Sequence, residues 1–260
     1  MKKLILFVLV AAAVALFSRC EPDDGSDGQA FREPIIIEGF VYANEPVTRI
    51  MLSKFHGSGS LQSTPISDAR VVVEQGDKSF NLQISDSVPG LYVQADTTHV
   101  PDGNRTVTVK IDYGGARYSA FSAMPEEITG LQISESQIFI QGSTDDQVLT
   151  ELTWNPHPGG KYCVFLRQDG RNVPLGGSST FGTMDSPFGR ILTTPNLGLE
   201  ARAFPSKGSF TLYVTAVNED YAQLYAAPPG MNLAGVPGNF SGSVGVFTAF
   251  KGNLVELEVY

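Results

Sequence analysis

Valine and isoleucine alternate with polar residues through Thr106-Val107-Thr108-Val109-Lys110-Ile111. The chain then reverses at Asp112-Tyr113-Gly114-Gly115 into Arg117-Tyr118-Ser119-Ala120-Phe121. A period of two puts every second side chain on the same face, so this stretch reads as a hairpin with one buried and one wet surface. The same grammar runs from Pro34 to about Met124. Ile35 to Val41, Arg49 to Ser53, Arg70 to Glu74, Phe80 to Ile84 and Leu91 to Gln94 are further short runs of this kind, with Gln75-Gly76-Asp77-Lys78 as a second tight turn. Short strands at this spacing, with no helical period among them, predict a β-sandwich over residues 34–125.

Met124-Pro125-Glu126-Glu127 has linker chemistry, and Ile128-Thr129-Gly130-Leu131-Gln132-Ile133 restarts the strand pattern. A second sandwich is expected over 126–260, built on Val148 to Trp154, Lys161 to Leu166 and Ser209 to Val217. A lone Trp154 on an early strand, the turn Asn155-Pro156-His157-Pro158-Gly159-Gly160, a Tyr-bearing strand at Tyr162 and a late Leu212-Tyr213-Val214 resemble fibronectin type III modules. The fold class is therefore all-β, two tandem sandwiches with one short helix near the carboxyl end. That helix begins after Asn218 as cap, carries Glu219 and Asp220 in its first turn, sets Tyr221, Leu224 and Tyr225 on one face and stops at Pro228. Between Gln168 and Lys207 the chain is rich in Gly, Ser, Thr and Pro, which predicts a long loop. Phe181, Met184 and Phe188 within it form a candidate contact surface, and Phe181, Phe188 and Tyr92 are aromatic rings that suit stacking on sugars.

The amino end speaks to location. Lys2 and Lys3 precede an unbroken apolar run from Leu4 to Phe17, followed by Ser18-Arg19-Cys20. That is a secretory signal, too short to span comfortably a hydrocarbon core of about 30 Å. A cysteine directly behind the apolar core is how a bacterial lipoprotein signal reads, with cleavage before Cys20 and acylation of that residue. Arg19 departs from the small residue such peptidases take before the cysteine, and plain secretion with a spare thiol is the competing reading. Several acyl chains on one residue make a stable anchor, since each buried methylene contributes about 0.8 kcal/mol. Residues 20–33 follow as a disordered acidic tether, for Glu21-Pro22-Asp23-Asp24-Gly25-Ser26-Asp27-Gly28 has nothing to bury. Asp23, Ser26 and Asp27 lack the longer loop, bidentate Glu and flanking helices of a calcium site.

Loss of residues 1–19 removes three cations, Lys2, Lys3 and Arg19, and takes the formal charge from -9 to -12. Such a chain is unsuited to nucleic acid or anionic lipid. Cys163 lies in the apolar run Tyr162-Cys163-Val164-Phe165-Leu166 and reads as a buried, inert thiol. His56, His99 and His157 fall in expected loops without ligand partners at metal-site spacing, and no nucleophile elbow, phosphate loop or dinucleotide fingerprint occurs. Glu126-Glu127 and Asp145-Asp146 are adjacent in sequence and so point apart, unlike a glycosidase pair. Neither catalytic residues, nor a metal, nor a cofactor is expected.

Several segments together resemble a known family. Ile36-Ile37-Glu38-Gly39-Phe40-Val41, Pro65-Ile66-Ser67-Asp68-Ala69-Arg70-Val71-Val72-Val73, Pro89-Gly90-Leu91-Tyr92, Ala116-Arg117-Tyr118-Ser119-Ala120 and the closing Gly242-Ser243-Val244-Gly245-Val246-Phe247 are similar to the Bacteroidota lipoproteins of domain of unknown function 4249. The first domain also looks like transthyretin-like or carboxypeptidase-regulatory sandwiches. The acidic run carrying Glu21, Asp23 and Asp24 resembles the signal that sends lipoproteins of those bacteria to the outer face of the outer membrane. Asp86-Ser87-Val88 and Asp96-Thr97-Thr98 resemble their three-residue O-glycosylation signal, which makes Ser87 and Thr97 candidate acceptors. The resemblance implies a non-enzymatic surface lipoprotein that assists a TonB-dependent receptor or binds a glycan. A fimbrial or adhesin subunit and a hydrolase of unfamiliar site are the alternatives.

Overall fold

The computed structural model describes residues 35–47, 49–54, 63–140, 142–144, 146–173, 175, 190–226, 238–240 and 242–260. Cys20, Glu21, Asp23, Asp24, Phe181, Met184 and Phe188 lie outside the described residues. Strands β1 (Ile35–Tyr42), β2 (Arg49–Lys54), β3 (Thr64–Pro65), β4 (Arg70–Gln75), β5 (Lys78–Ile84), β6 (Leu91–Gln94), β7 (Val107–Tyr113) and β8 (Ala116–Ser122) come first. They are followed by β9 (Gln132–Ile133), β10 (Gln137–Ile138), β11 (Val148–Thr153), β12 (Tyr162–Gln168), β13 (Arg171–Val173), β14 (Arg190–Leu192) and β15 (Asn196–Glu200). A single 3-10 turn at Ala201–Ala203, β16 (Gly208–Ala216), helix α1 (Glu219–Ala226), β17 (Val244–Phe250) and β18 (Gly252–Val259) complete the order.

The first sheet runs β17-β1-β2-β6-β5-β4-β7-β8, with β3 beside β2. It folds over on itself as a sandwich. Ile37, Val41, Ile50 and Leu52 from one half face Val71, Val73, Val109, Ile111 and Tyr118 from the other in one buried core. The alternation read from the sequence supplies this inner face, and the tight turns fall where glycine permits them. Gly114 and Gly115, at φ 57 and 74, make the two-residue reversal between β7 and β8. Two buried glutamines hold the loops over the sandwich ends. Gln75 donates to the carbonyls of Asp102 (2.8 Å) and Arg105 (3.1 Å), and the side chain of Gln94 accepts from the Val47 N–H at 3.0 Å.

The boundary expected at residues 125 and 126 is crossed by a strand. β17 leaves the second domain and pairs in parallel with β1, Ile36 against Val244 through Tyr42 against Phe250, so the range 126–260 is not self-contained. Residues Pro34–Tyr260 form one compact unit. β17 also approaches β8: the Ala249 N–H donates to Ser122 Oγ at 3.0 Å, and the Asn239 amide donates to the carbonyls of Phe121 (3.3 Å) and Phe247 (2.6 Å). Closeness is possible because of Gly245. At φ 133 it lies in backbone space that side chains avoid, and a Cβ there would stand 1.8 Å from the Ile37 carbonyl oxygen.

The second sandwich packs β10-β18-β16-β12-β13, with β14 beside β12, against the three-stranded β15-β11-β9. Leu152, Tyr162, Val164, Leu166, Leu197, Leu199, Phe210, Leu212, Val214 and Leu257 are among its buried residues. The stretch 168–207, expected as a long loop, holds β13, β14 and β15 instead. Composition misleads there because the pairing is non-local: Leu197 and Leu199 are buried through the antiparallel register of β15 with β11. Among the described residues of that stretch, 169–170, 175, 193–195 and 204–207 are irregular, and 174 and 176–189 lie outside them.

Gly245→Ala is expected to lower folding stability by about 3 kcal/mol or more, from strained backbone and lost β17–β1 pairing. Urea midpoints of the variant and the parent measure this, and an unchanged midpoint would show that β17 is not anchored as described.

Candidate functional site

β1 and β17 present their second faces away from the first core. Phe40 and Tyr42 on β1, and Val246 and Phe250 on β17, meet Cys163 and Phe165 from β12, Tyr213 from β16 and Tyr221 from α1. The rings interlock. Tyr42 stacks on Phe250 at 5.0 Å, Phe165 meets Phe250 edge-on at 5.2 Å, Tyr221 meets it edge-on at 5.1 Å, and Tyr42 meets Tyr213 edge-on at 5.7 Å. Offset and edge-on pairs of this kind are each worth about 0.5–1.5 kcal/mol beyond the area they bury.

At the rim of this junction the Arg167 guanidinium lies 4.8 Å from the Tyr42 ring centroid and 4.7 Å from that of Tyr213. Its Nη1 donates to Glu45 Oε1 at 2.8 Å and its Nε to Asn172 Oδ1 at 3.1 Å. Burial works against the Arg167 charge, but the Glu45 carboxylate and the two tyrosines more than offset it and hold the pKa above its ordinary value. Burial likewise pushes the Tyr42 and Tyr213 hydroxyls up. Helix α1 is fixed by its cap: Asn218 Oδ1 accepts from the Tyr221 N–H at 3.0 Å, and Asn218 Nδ2 donates to Ser122 Oγ at 3.2 Å. The reading of Asn218 as cap and of the helix as a docking element is correct for Tyr221, which is fully buried. Cys163 is buried as expected, its thiol pushed up by burial, with Sγ 3.9 Å from the Tyr221 hydroxyl.

The same outward face continues beyond the junction and changes character. Register places Val246, Glu38, Met51 and Leu91 in one row across β17, β1, β2 and β6, flanked by Ile36 opposite Val244. Glu38, Ile36, Met51, Leu91 and Val244 are half-buried. Burial pushes the Glu38 carboxyl above the usual carboxylate range. The carboxylate has no hydrogen bond or ion pair among the described residues, and Arg49, the cation on this face, stands one pair along, opposite Phe40. Thr248 lies next along β17, opposite Phe40, and its buried hydroxyl has no hydrogen-bond partner. Thr248 thus belongs to the buried junction, between Val246 and Phe250 on β17, whereas Glu38 is half-buried. An unpaired carboxylate in such surroundings is what a recognition site for a cation presents.

Sequence reasoning missed this face. Glu38 entered only as part of a strand motif, and the signal that marks it is a lone carboxylate within an otherwise apolar run, Ile35-Ile36-Ile37-Glu38-Gly39-Phe40-Val41. Tyr92 is corrected: it sits on β6 in the first core, 2% exposed, and its hydroxyl accepts from the Ala69 N–H at 2.9 Å, so it cannot stack on a sugar. His157 lies in the loop between β11 and β12. Its Nε2 is buried and stands 3.6 Å from Glu126 Oε2, while Lys251 reaches Glu127 at 3.7 Å, so the two linker carboxylates point apart toward separate partners. Ser87 and Thr97 are exposed, in the loops at opposite ends of β6. The Ser87 hydroxyl lies 3.2 Å from Ser85 Oγ; the turn at Thr97 is closed by Asp96, whose carboxyl the Thr98 hydroxyl and N–H hold low. Among the described residues no three His, Cys, Asp or Glu side chains are grouped to hold a metal ion.

No protein-family model matches the chain, and no curated protein does. Among solved structures it is similar to the FN1–FN3 domains of chicken CNTN1, with 12% identity and a TM-score of 0.24 over 72% of this chain and 60% of that one. The chain thus spans less than two thirds of that structure's length.

Two outcomes are expected. Arg167→Ala should destabilise the body by about 3 kcal/mol, since it removes two cation–π contacts and leaves Glu45 without its partner; a urea midpoint no lower than that of the parent would refute the rim contact. Glu38→Gln should raise the thermal midpoint at pH 7. A carboxyl whose folded pKa is raised penalises the folded state once pH exceeds the unfolded value of about 4.3, so the gain should vanish below about pH 4.

Proposed function

We propose that this is a non-enzymatic, lipid-anchored accessory protein of the bacterial outer membrane, of the domain of unknown function 4249 kind. It is tethered through an acylated Cys20, carried to the cell exterior by the acidic run with Glu21, Asp23 and Asp24, and works beside a TonB-dependent receptor or on a glycan. The observation that carries the reading is the aromatic junction. Tyr42, Phe165, Tyr213 and Phe250 lock two sandwiches into one body. A body of this kind at the end of a charged leash suits presenting a binding surface at a fixed offset, which is what an assembly partner requires.

The donated-strand reading is disfavoured for the first sandwich. The path ends of its sheet, β8 and β17, are drawn together through Ser122 and Asn239, so no incoming strand fits between them.

Affinity capture of the native protein from detergent-solubilised membranes, beside Cys20→Ala, tests the proposal. The parent should partition into detergent with acyl mass and co-purify an outer-membrane receptor or glycan, and the variant should lose the acyl mass. A soluble, unacylated parent with neither partner enriched would overturn it.

A further inference from the structure

We propose that β17 and β18 act as a folding gate. The first sandwich, whose other strands are all made by Ser122, stays unfolded until Val244–Val259 is delivered to it, so that both sandwiches close in one late event and not in chain order. The gate stands on packing and pairing alone and does not depend on the lipid anchor or on the family resemblance.

Domains ordinarily fold as units, the amino-terminal one first during synthesis. Three observations set this chain apart. First, the first core is built around a strand that the first domain does not contain. In the parallel register of β1 with β17 the inward pairs are complementary in size: Ile37 is matched with Gly245, Gly39 with Phe247 and Val41 with Ala249. The Phe247 ring fills the space over Gly39, where a Cβ would stand 2.7 Å from Phe247 Cδ2 and 3.0 Å from Ile50 Cδ1. Without β17 that space has no side chain to fill it, and the residues lining such a gap lose their contacts outright.

Second, the sheet needs the strand for its hydrogen bonds. The register pairs from Ile36 with Val244 to Tyr42 with Phe250 occupy the edge of β1 that β2 leaves free. β8, at the other end of the same sheet, is tied in through the same segment. Ser122 Oγ accepts from the Ala249 N–H at 3.0 Å, while Asn239 accepts from the Phe247 N–H at 2.8 Å and donates to the Phe121 carbonyl at 3.3 Å. Removal of the segment strips partners from the backbone of β1 and leaves an apolar strand with an open edge.

Third, the outer face of β1 is not made for water. Phe40 and Tyr42 are each 3% exposed, and they are covered by β17 together with β12, β16 and α1. β18 does for the second sandwich what β17 does for the first: it lies between β10 and β16 and buries Leu257 and Val259 in that core. Only Lys251 separates the two strands, and this link is held from both sides. The Phe250 carbonyl accepts from the Ala43 N–H at 2.8 Å, and the Lys251 carbonyl accepts from Thr215 Oγ1 at 3.0 Å. One continuous segment thus finishes both sandwiches, and the loop it closes back to β1 spans about 200 residues. Contacts so distant in sequence must be closed against chain entropy before they stabilise anything. A chain that waits for this segment stays unfolded long enough to be threaded through an export channel; that consequence rests on the lipid-anchored reading, whereas the gate itself does not.

Refolding of the purified full chain from urea, followed by pulsed amide hydrogen exchange with peptide-level mass spectrometry, tests the gate. Amides of β4, β5 and β7, which pair with neither β1 nor β17, should become protected in the same kinetic phase as those of β17, β12 and β16. Phe247→Leu, which keeps an apolar residue at the site, should slow the protection of β4, β5 and β7 at least threefold. Protection of those three strands in a separate phase ahead of β17 overturns the gate, and so do parent rates in Phe247→Leu. The order of phases is read in the parent, so it decides the matter even if the variant fails to fold. Acylation and receptor capture are measured separately, so failure here leaves the accessory role to its own test.

Discussion

The strand from Val244 to Phe250 is the constraint on which the rest depends, because it serves two cores. Phe247 and Ala249 point into the first sandwich, and Val246 and Phe250 point into the aromatic junction. A strand buried on both faces should read as apolar at every position, and Val-Gly-Val-Phe-Thr-Ala-Phe does, with Gly245 and Thr248 as the exceptions. Both exceptions have consequences. Gly245 lets the backbone approach Ile37, and Thr248 leaves a buried hydroxyl unmatched. The parallel pairing to β1 also ties the end of the chain to its beginning, so the second sandwich cannot part from the first without breaking the first sheet.

Much of this fold is legible locally. The hairpins β4–β5 and β7–β8 are signalled by alternation on both strands and by glycine at the turn, and the expected runs match the observed strands to within two residues. The cap at Asn218 is legible for the same reason: a side chain that accepts from an N–H three residues on is a short-range event. The placement of β17 is not legible, since it depends on a partner two hundred residues earlier in the chain. Nor are β14 and β15 legible in a stretch whose Gly, Ser and Pro content reads as loop; short strands acquire their conformation from the neighbour they pair with, and composition carries no record of that neighbour.

The candidate site shows the same division. Exposed aromatics in loops are what a sequence offers as a contact surface, yet Tyr92 proves to be core because it falls in register opposite Ile50. Glu38 hides for the opposite reason. In an apolar strand one carboxylate passes as the outward member of an alternating pattern, and only the register shows that its cross-strand neighbours on that outward face are Val246 and Met51 rather than water-facing charges.

Two populations of carboxyl groups with opposite pH behaviour follow. The Thr98 hydroxyl holds Asp96 low, the Arg117 guanidinium holds Asp112 low, and the Lys161 ammonium holds Glu219 low; each favours the fold above its unfolded pKa and loses that contribution as pH falls through its lowered value. Glu38 is raised by burial and behaves inversely, favouring the folded state when protonated and opposing it as pH rises past the unfolded value. The lowered groups are exposed, where screening makes such terms small. Glu38 sits in an apolar row, where they are not small. Glu38 thus opposes folding at neutral pH and favours it only once protonated.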